Sequence, residues 1–242
     1  MDEWQEWYEP RSDIVTSIYD SLMKPIQEEE WINTINSMNN NKAPGVSEIT
    51  YDLIKKSGNN WLQLYRELTN QCLLTSKIPK NWKIAQIYPI PKPEEWNWRI
   101  NKTRPIILLK CPRKILFKIL TNRLNNILAN NPYILDNNNF AALPGCSTQE
   151  PIHLLNILME NARIQDKELW ILFQDMSKAY DRVNRKLLFK ALERIRIPTA
   201  FIDLLKNALE DRSNKILTAV GDIEEYIMTN GIDQGEIISP IL

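Results

Sequence analysis

Five consecutive apolar residues, Leu169-Trp170-Ile171-Leu172-Phe173, lead to a carboxylate, Asp175, and five positions later to an aromatic, Tyr180. The run reads as a β-strand, and it would deliver Asp175 to the strand's far end. A strand tip that presents an acid beside an aromatic wall suits a site where magnesium meets a nucleotide. Such a site needs further carboxylates, so the rest of the chain must be searched for them.

The 242 residues can form one large domain or two modest ones, with ample material for a core. Six glycines and fourteen prolines argue against a low-complexity or turn-rich all-β chain. Cys72, Cys111 and Cys146 are far apart, and His153 stands alone, which argues against structural zinc and for a reducing compartment. No apolar run approaches the roughly 18 residues of a membrane span. The acidic start, Met-Asp-Glu-Trp-Gln-Glu-Trp, is unlike a basic leader. The expected setting is intracellular and soluble.

Net charge is zero, but its distribution is uneven. Met1 to Glu30 holds nine acids against Arg11 and Lys24, a balance of −7. Lys77 to Arg123 holds twelve Lys or Arg against Glu94 and Glu95, a balance of +10. A basic middle segment is the usual footprint of phosphate binding, with a solvated helix face as the alternative.

Helical spacing in the first third marks Ile14, Ile18 and Leu22, and then Trp61, Leu64, Tyr65, Leu68 and Cys72. Asn41-Lys-Ala-Pro-Gly45 between them is a turn. Lys83 to Ile90 reads as a strand. Arg104 to Leu109 is a short apolar run, and Pro112 opens a long amphipathic helix. Ser147 and Glu150 have capping-box spacing, so a helix should begin there. Leu187 to Ile195 and Phe201 to Leu209 read as two more helices. Lys215 to Val220 and Glu225 to Met228 form an expected hairpin, and Ser239-Pro240 reads as a helix start.

Taken together, five segments resemble the reverse transcriptases of non-LTR (LINE-type) retrotransposons, from about Lys42 to Leu242. They are Lys42-Ala-Pro-Gly; Ile90-Pro-Lys92-Pro with Arg104-Pro-Ile; Phe140 to Thr148; Phe173 to Val183, similar to motif A; and Gly231 to Leu242, similar to motif B. The resemblance implies an α/β (α+β) fold, with the fingers and a partial palm of a right-hand polymerase. Residues 1–40 would be a helical extension, 41–150 the fingers and 151–242 the partial palm.

The resemblance also implies site roles. Asp175 would be the catalytic, Mg²⁺-binding aspartate, against the simpler reading of a helix cap. Tyr180 would be a steric gate against a 2′-hydroxyl, or else plain core packing. Lys92 and Arg104 would hold the incoming triphosphate, or belong to the general basic surface. Gln234 would help position the template base and nucleotide, and Gly235 would let the backbone approach the nascent base pair closely; a turn before a capped helix is the alternative, compatible with both roles. Lys110, Arg113, Lys114 and Lys118 would track a nucleic-acid backbone, with exposed helix charge as the alternative. Glu236, Leu143 and Cys146 depart from the family's usual residues. The partners implied are an RNA template, a DNA primer and deoxynucleotides.

The family's motif C, an aromatic-x-Asp-Asp, supplies the remaining catalytic acids, yet the sequence contains no Asp-Asp pair. The expectation is a chain that looks cut at both ends and is catalytically incompetent by itself. The rival reading is a nucleic-acid-binding remnant or domesticated module without polymerase activity. A maturase-like splicing partner is a third, disfavoured because no additional basic domain is evident.

Overall fold

Packing is organised around one long helix, Cys111–Asn130, the fourth in chain order. The structure, a computed structural model, describes residues 7–135, 138–218 and 221–242. Before the central helix come α1 (Glu28–Ser37), α2 (Tyr51–Lys55) and α3 (Asn59–Thr75). After this central α4 come α5 (Gln149–Ile164), α6 (Ala179–Arg182), α7 (Arg185–Arg194) and α8 (Thr199–Leu209).

At 20 residues, α4 is about 30 Å long. Ile115, Leu116, Phe117, Ile119, Leu120 and Thr121 are all buried, so its first half is covered over most of its circumference, with Lys114 and Lys118 half-exposed, rather than along one stripe. The expected amphipathic helix is thus a core helix over this stretch. Neighbouring elements bring Trp31 from α1, Cys72 from α3, Leu188 from α7 and Phe201 from α8 into the same apolar cluster. Arg123 tethers the helix to the N-terminal segment. Its guanidinium takes Glu30 with two bonds of 2.7 and 2.6 Å and donates to the carbonyls of Leu22 and Lys24. The acidic and basic segments of the sequence meet at this ion pair.

A sheet covers the other side of the chain's middle. Strands β1 (Ile84–Pro91) and β2 (Thr103–Leu108) form an antiparallel hairpin. β3 (Ser213–Thr218) joins β1 in parallel, with Ala85 opposite Asn214 and Ile87 opposite Ile216. β4 (Gly221–Asp222) and β5 (Tyr226–Ile227) return antiparallel to β3; the expected hairpin is thus shifted, with Gly221 and Asp222 pairing as a strand, while Val220 lies outside the described residues. Pro105 sits on β2, at the edge of the sheet, where a missing amide donor is tolerated. Ala85, Ile87, Ile107 and Leu109 form a second small core, against which Ile216 packs.

Three sequence expectations need correction. The strand over Leu169–Phe173 is absent: the segment is irregular and no described residue pairs with it. Trp170 and Leu172 are each 89% exposed. Apolar content alone does not make a strand, because the backbone donors and acceptors need a hydrogen-bonding neighbour. The preceding α5 likewise buries none of its residues, with Ile152, Leu154, Ile157 and Leu158 exposed. Second, the helix read through Ile14, Ile18 and Leu22 is a single 3₁₀ turn, Thr16–Tyr19. Tertiary anchoring decides there: the Tyr19 hydroxyl donates to the Ile195 carbonyl at 2.8 Å, while Ile14, Tyr19, Leu22 and Ile26 all reach the core. Third, Ser239-Pro240 begins only a short 3₁₀ turn, Ser239–Ile241.

This packing predicts a sharp contrast between the two helical regions. Leu120→Ala, in the most enclosed part of α4, should cost about 2–5 kcal/mol. Ile157→Ser on exposed α5 should change stability by less than about 0.5 kcal/mol. Urea unfolding followed by tryptophan fluorescence measures both.

Candidate functional site

The loop Gly231–Glu236 builds the site by gripping α6 and β2 at once. Its Gly231 N–H donates to the Val183 carbonyl at 3.1 Å, and its Ile232 N–H to Tyr180 at 2.9 Å, which ties it to α6. On the other side, the Ile107 N–H of β2 donates to the Gln234 carbonyl at 3.2 Å. Both contacts need glycine. A Cβ on Gly231 would lie 2.9 Å from backbone atoms of Tyr180 and Asp181, and one on Gly235 would lie 2.6 Å from the Ile107 carbonyl oxygen. Both also have positive φ, +73° and +131°.

Beneath the loop lies a buried cluster of four charges. Arg113, on α4, donates from Nε to Glu236 Oε2 at 2.7 Å and from Nη2 to Asp233 Oδ2 at 3.3 Å. Its Nη1 donates to the Trp82 carbonyl at 3.1 Å, and the guanidinium lies 5.6 Å from the centre of the Phe117 ring. Arg212 pairs with Asp233 Oδ1 and donates to the carbonyls of Asn230 and Gly231, at 3.1 and 2.7 Å. Two arginines and two carboxylates thus balance, and all four are buried. Burial pushes the Glu236 carboxyl above the usual carboxylate range, and the Arg113 guanidinium offsets only part of that rise. Burial also lowers the Lys114 ammonium and raises the Tyr51 phenol beside Glu236.

Above the loop opens a cleft of about 810 Å³. Lys92, Arg104, Asp175, Tyr180 and Gln234 all line it, with Asp181, Lys178, Ile216 and Tyr226. They come from β1's end, β2, the segment before α6, α6 itself and the Gly231–Glu236 loop. Asp175 does not cap a helix at Met176. The helix starts at Ala179, and Lys178 before it has a left-handed φ of +54° with no side-chain cap. Lys92 is held by its backbone N–H donating to Lys102 at 2.9 Å, with its Nζ 3.5 Å from the Asn101 carbonyl. Tyr180 and Gln234 are half-buried, whereas Asp175, Arg104 and Gly235 are exposed.

The candidate backbone-tracking cations on α4 divide. Arg113 is corrected outright: it is 1% exposed and its guanidinium is committed to Glu236, Asp233 and Trp82. Lys110, Lys114 and Lys118 remain half-exposed. The role of Glu236 as partner to Arg113, and the Arg212–Asp233 pair, escaped sequence reading. A signal for Arg113 does exist, since it shares the apolar stripe of Leu116, Phe117 and Leu120. The Lys42-Ala-Pro-Gly45 turn is accounted for as well. A Cβ on Gly45 would lie 2.7 Å from the Leu109 carbonyl carbon and 2.8 Å from the Lys110 nitrogen, where β2 runs into α4.

Comparison with known proteins places the chain in a family. Residues 90–242 match the model of the family described as reverse transcriptase (RNA-dependent DNA polymerase). The chain is 30% identical over 240 residues to the probable RNA-directed DNA polymerase from transposon BS of Drosophila melanogaster, covering 98% of this chain and 26% of that protein. It is 28% identical over 222 residues to the RNA-directed DNA polymerase from mobile element jockey of Drosophila melanogaster, covering 88% of this chain and 23% of that protein. A retrovirus-related Pol polyprotein from the type-1 retrotransposable element R2 of Popillia japonica is 26% identical over 205 residues, 83% of this chain and 27% of its own. The chain belongs to the reverse transcriptase family, and these relatives are non-LTR retrotransposon proteins. It spans about a quarter of the length of the relatives it matches.

The family generally uses a divalent metal, so the donor set can be tested against one. Asp175 and Asp181 are the carboxylates that line the cleft. Among the described residues, no three acidic, His or Cys side chains stand close enough together to hold an ion. The residues present do not fit a complete two-metal centre. Among the described residues no helix is long and apolar enough to cross a membrane.

Two variants test how the loop is held. Arg113→Met should cost about 3–5 kcal/mol, because it strands two buried carboxylates with only Arg212 between them. Gly235→Ala should keep the α4 core folded but displace the loop from β2, and hydrogen exchange of the Ile107 amide should accelerate. Thermal melts and exchange mass spectrometry read these two outcomes.

Proposed function

We propose that this cleft is the nucleotide end of an RNA-directed DNA polymerase site, in which a primer 3′-hydroxyl attacks the α-phosphate of a deoxynucleotide. The observation that carries the proposal is convergence: five side chains from separate stretches of chain, Lys92, Arg104, Asp175, Tyr180 and Gln234, line one cleft. Lys92 and Arg104 supply cationic contacts for the triphosphate, Arg104 as a planar fork that can take two phosphate oxygens. Tyr180 presents an aromatic edge where a ribose 2′-hydroxyl would clash. Gln234 offers an amide to the nascent base pair, and Gly235 keeps that approach open. Lys110, just before α4, and Lys114 and Lys118 on it are half-exposed and are the cations of this stretch that would meet template or primer phosphates. Within a polymerase frame, residues 41–150 act as fingers and 151–242 as the palm side.

The incomplete donor set favours a second statement. The 242 residues by themselves bind nucleotide and nucleic acid but do not extend a primer, because Asp175 and Asp181 cannot hold two ions. Purified chain, a primed RNA template, deoxynucleotides and Mg²⁺ should give no added nucleotides on a sequencing gel. Extension would overturn the statement. Deoxynucleoside triphosphate binding, measured by calorimetry, should weaken about 10-fold or more for Lys92→Ala with Arg104→Ala. Neutralising Lys110, Lys114 and Lys118 should weaken RNA binding and flatten its salt dependence by about two to three charges.

A further inference from the structure

The tip of the β1–β2 hairpin carries an aromatic pair that neither the core nor the cleft uses. Trp96 and Trp98 lie with ring centroids 4.6 Å apart and planes tilted by 55°. Trp96 is half-buried, while Trp98 is 86% exposed. An indole this exposed forgoes the stabilisation of burial, so packing against the core is not what fixes its position.

Backbone geometry holds it there. Asn97 and Trp98 both have left-handed φ, +44° and +60°. Asn adopts that region readily, but a bulky aromatic rarely does. The turn is closed by the Arg99 N–H donating to the Trp96 carbonyl at 2.7 Å and the Lys102 N–H to Arg99 at 2.9 Å. Lys102 Nζ reaches across to the Glu95 carbonyl at 2.5 Å. The loop therefore has a defined shape that presents the second ring to solvent.

The surroundings narrow the class of ligand. Between Lys92 and Arg104 there are four cations, Lys92, Arg99, Lys102 and Arg104, against Glu94 and Glu95. The same hairpin walls the cleft through Lys92, Ile100, Asn101, Thr103 and Arg104. An exposed aromatic face amid net positive charge, continuous with a phosphate-binding cleft, matches the combination that holds single-stranded nucleic acid: stacking on the base, attraction for the backbone.

We propose that Trp98 is a stacking platform for an unpaired base of a single-stranded nucleic acid entering the cleft, with Trp96 backing it. The proposal rests on the nucleic-acid reading of the cleft and adds a named subsite to it. Stacking is insensitive to base identity, because every base has a π-face, so the platform holds a strand without selecting its sequence.

The test is binding of the full 242-residue chain to a fluorescein-labelled single-stranded 12-mer of RNA and to an RNA duplex of the same length. Trp98→Ala should weaken single-strand binding about 10- to 100-fold, with an unchanged salt slope, since no phosphate contact is lost. Duplex affinity should stay constant, because its bases are already stacked. Trp98→Phe should restore most of the single-strand affinity. The circular dichroism of both variants should match the parent, as the ring is outside the core. Equal single-strand affinity for parent and Trp98→Ala would overturn the platform and leave the cleft reading standing. A parent chain that binds neither RNA would overturn both. A loss on both single strand and duplex would also overturn the platform, because it would mark a general surface contact.

Discussion

One neutral knot of four buried charges holds the site in place. Arg113 projects from the most enclosed stretch of α4 and meets Glu236 and Asp233, while Arg212, next to β3, closes the set on Asp233. Helix, sheet and loop are therefore joined by groups that cannot be separated without leaving a charge unpaired in a low-dielectric interior. Exposed ion pairs such as Arg11–Asp13 are screened by water and salt and impose no comparable constraint. With its two acids turned down into the core, the loop must turn Gln234 up into the cleft. The glycines at either end then let it lie directly against the backbones of α6 and β2.

This arrangement explains how a cleft forms even though one of its walls is loosely built. Tyr180 belongs to a helix of only four residues, but that helix is clamped by hydrogen bonds from the loop. Asp175 precedes it on a segment with exposed apolar neighbours and no strand partner among the described residues. Arg104, by contrast, stands on a six-pair antiparallel ladder, and Lys92 follows directly after it, with its N–H donating to the Lys102 carbonyl. The side of the cleft that carries Arg104 is held by strand pairing, and the side that carries Asp175 depends on a single loop.

Large apolar side chains at Trp170, Leu172 and Phe173 lie in water for the same reason. A strand is a property of a pair, and a five-residue apolar run specifies only one member of it. Where a pairing neighbour stands among the described residues, sequence reading comes closer: β1 runs Ile84–Pro91 against an expected Lys83–Ile90, and Tyr226–Ile227 do return antiparallel to β3, although they pair with Ser213 and Asn214, before the expected strand. Where helix spacing competes with specific anchoring, as between Ile14 and Leu22, the anchors decide, and Tyr19 holds the chain in an irregular path.

By itself, the sequence determined the family, the helical course of α3, α4, α7 and α8, and five of the residues that line the cleft, Lys92, Arg104, Asp175, Tyr180 and Gln234. These follow from local periodicity and from motifs that keep their order along the chain. Tertiary structure alone decided which cations are free. Arg113 and Lys118 look alike in sequence, five positions apart on one helix, yet one is sealed against Glu236 and Asp233 while the other is half-exposed. The physical reason is that charge fate depends on the dielectric around a side chain and the partner it meets there. Both are set by segments more than a hundred residues away.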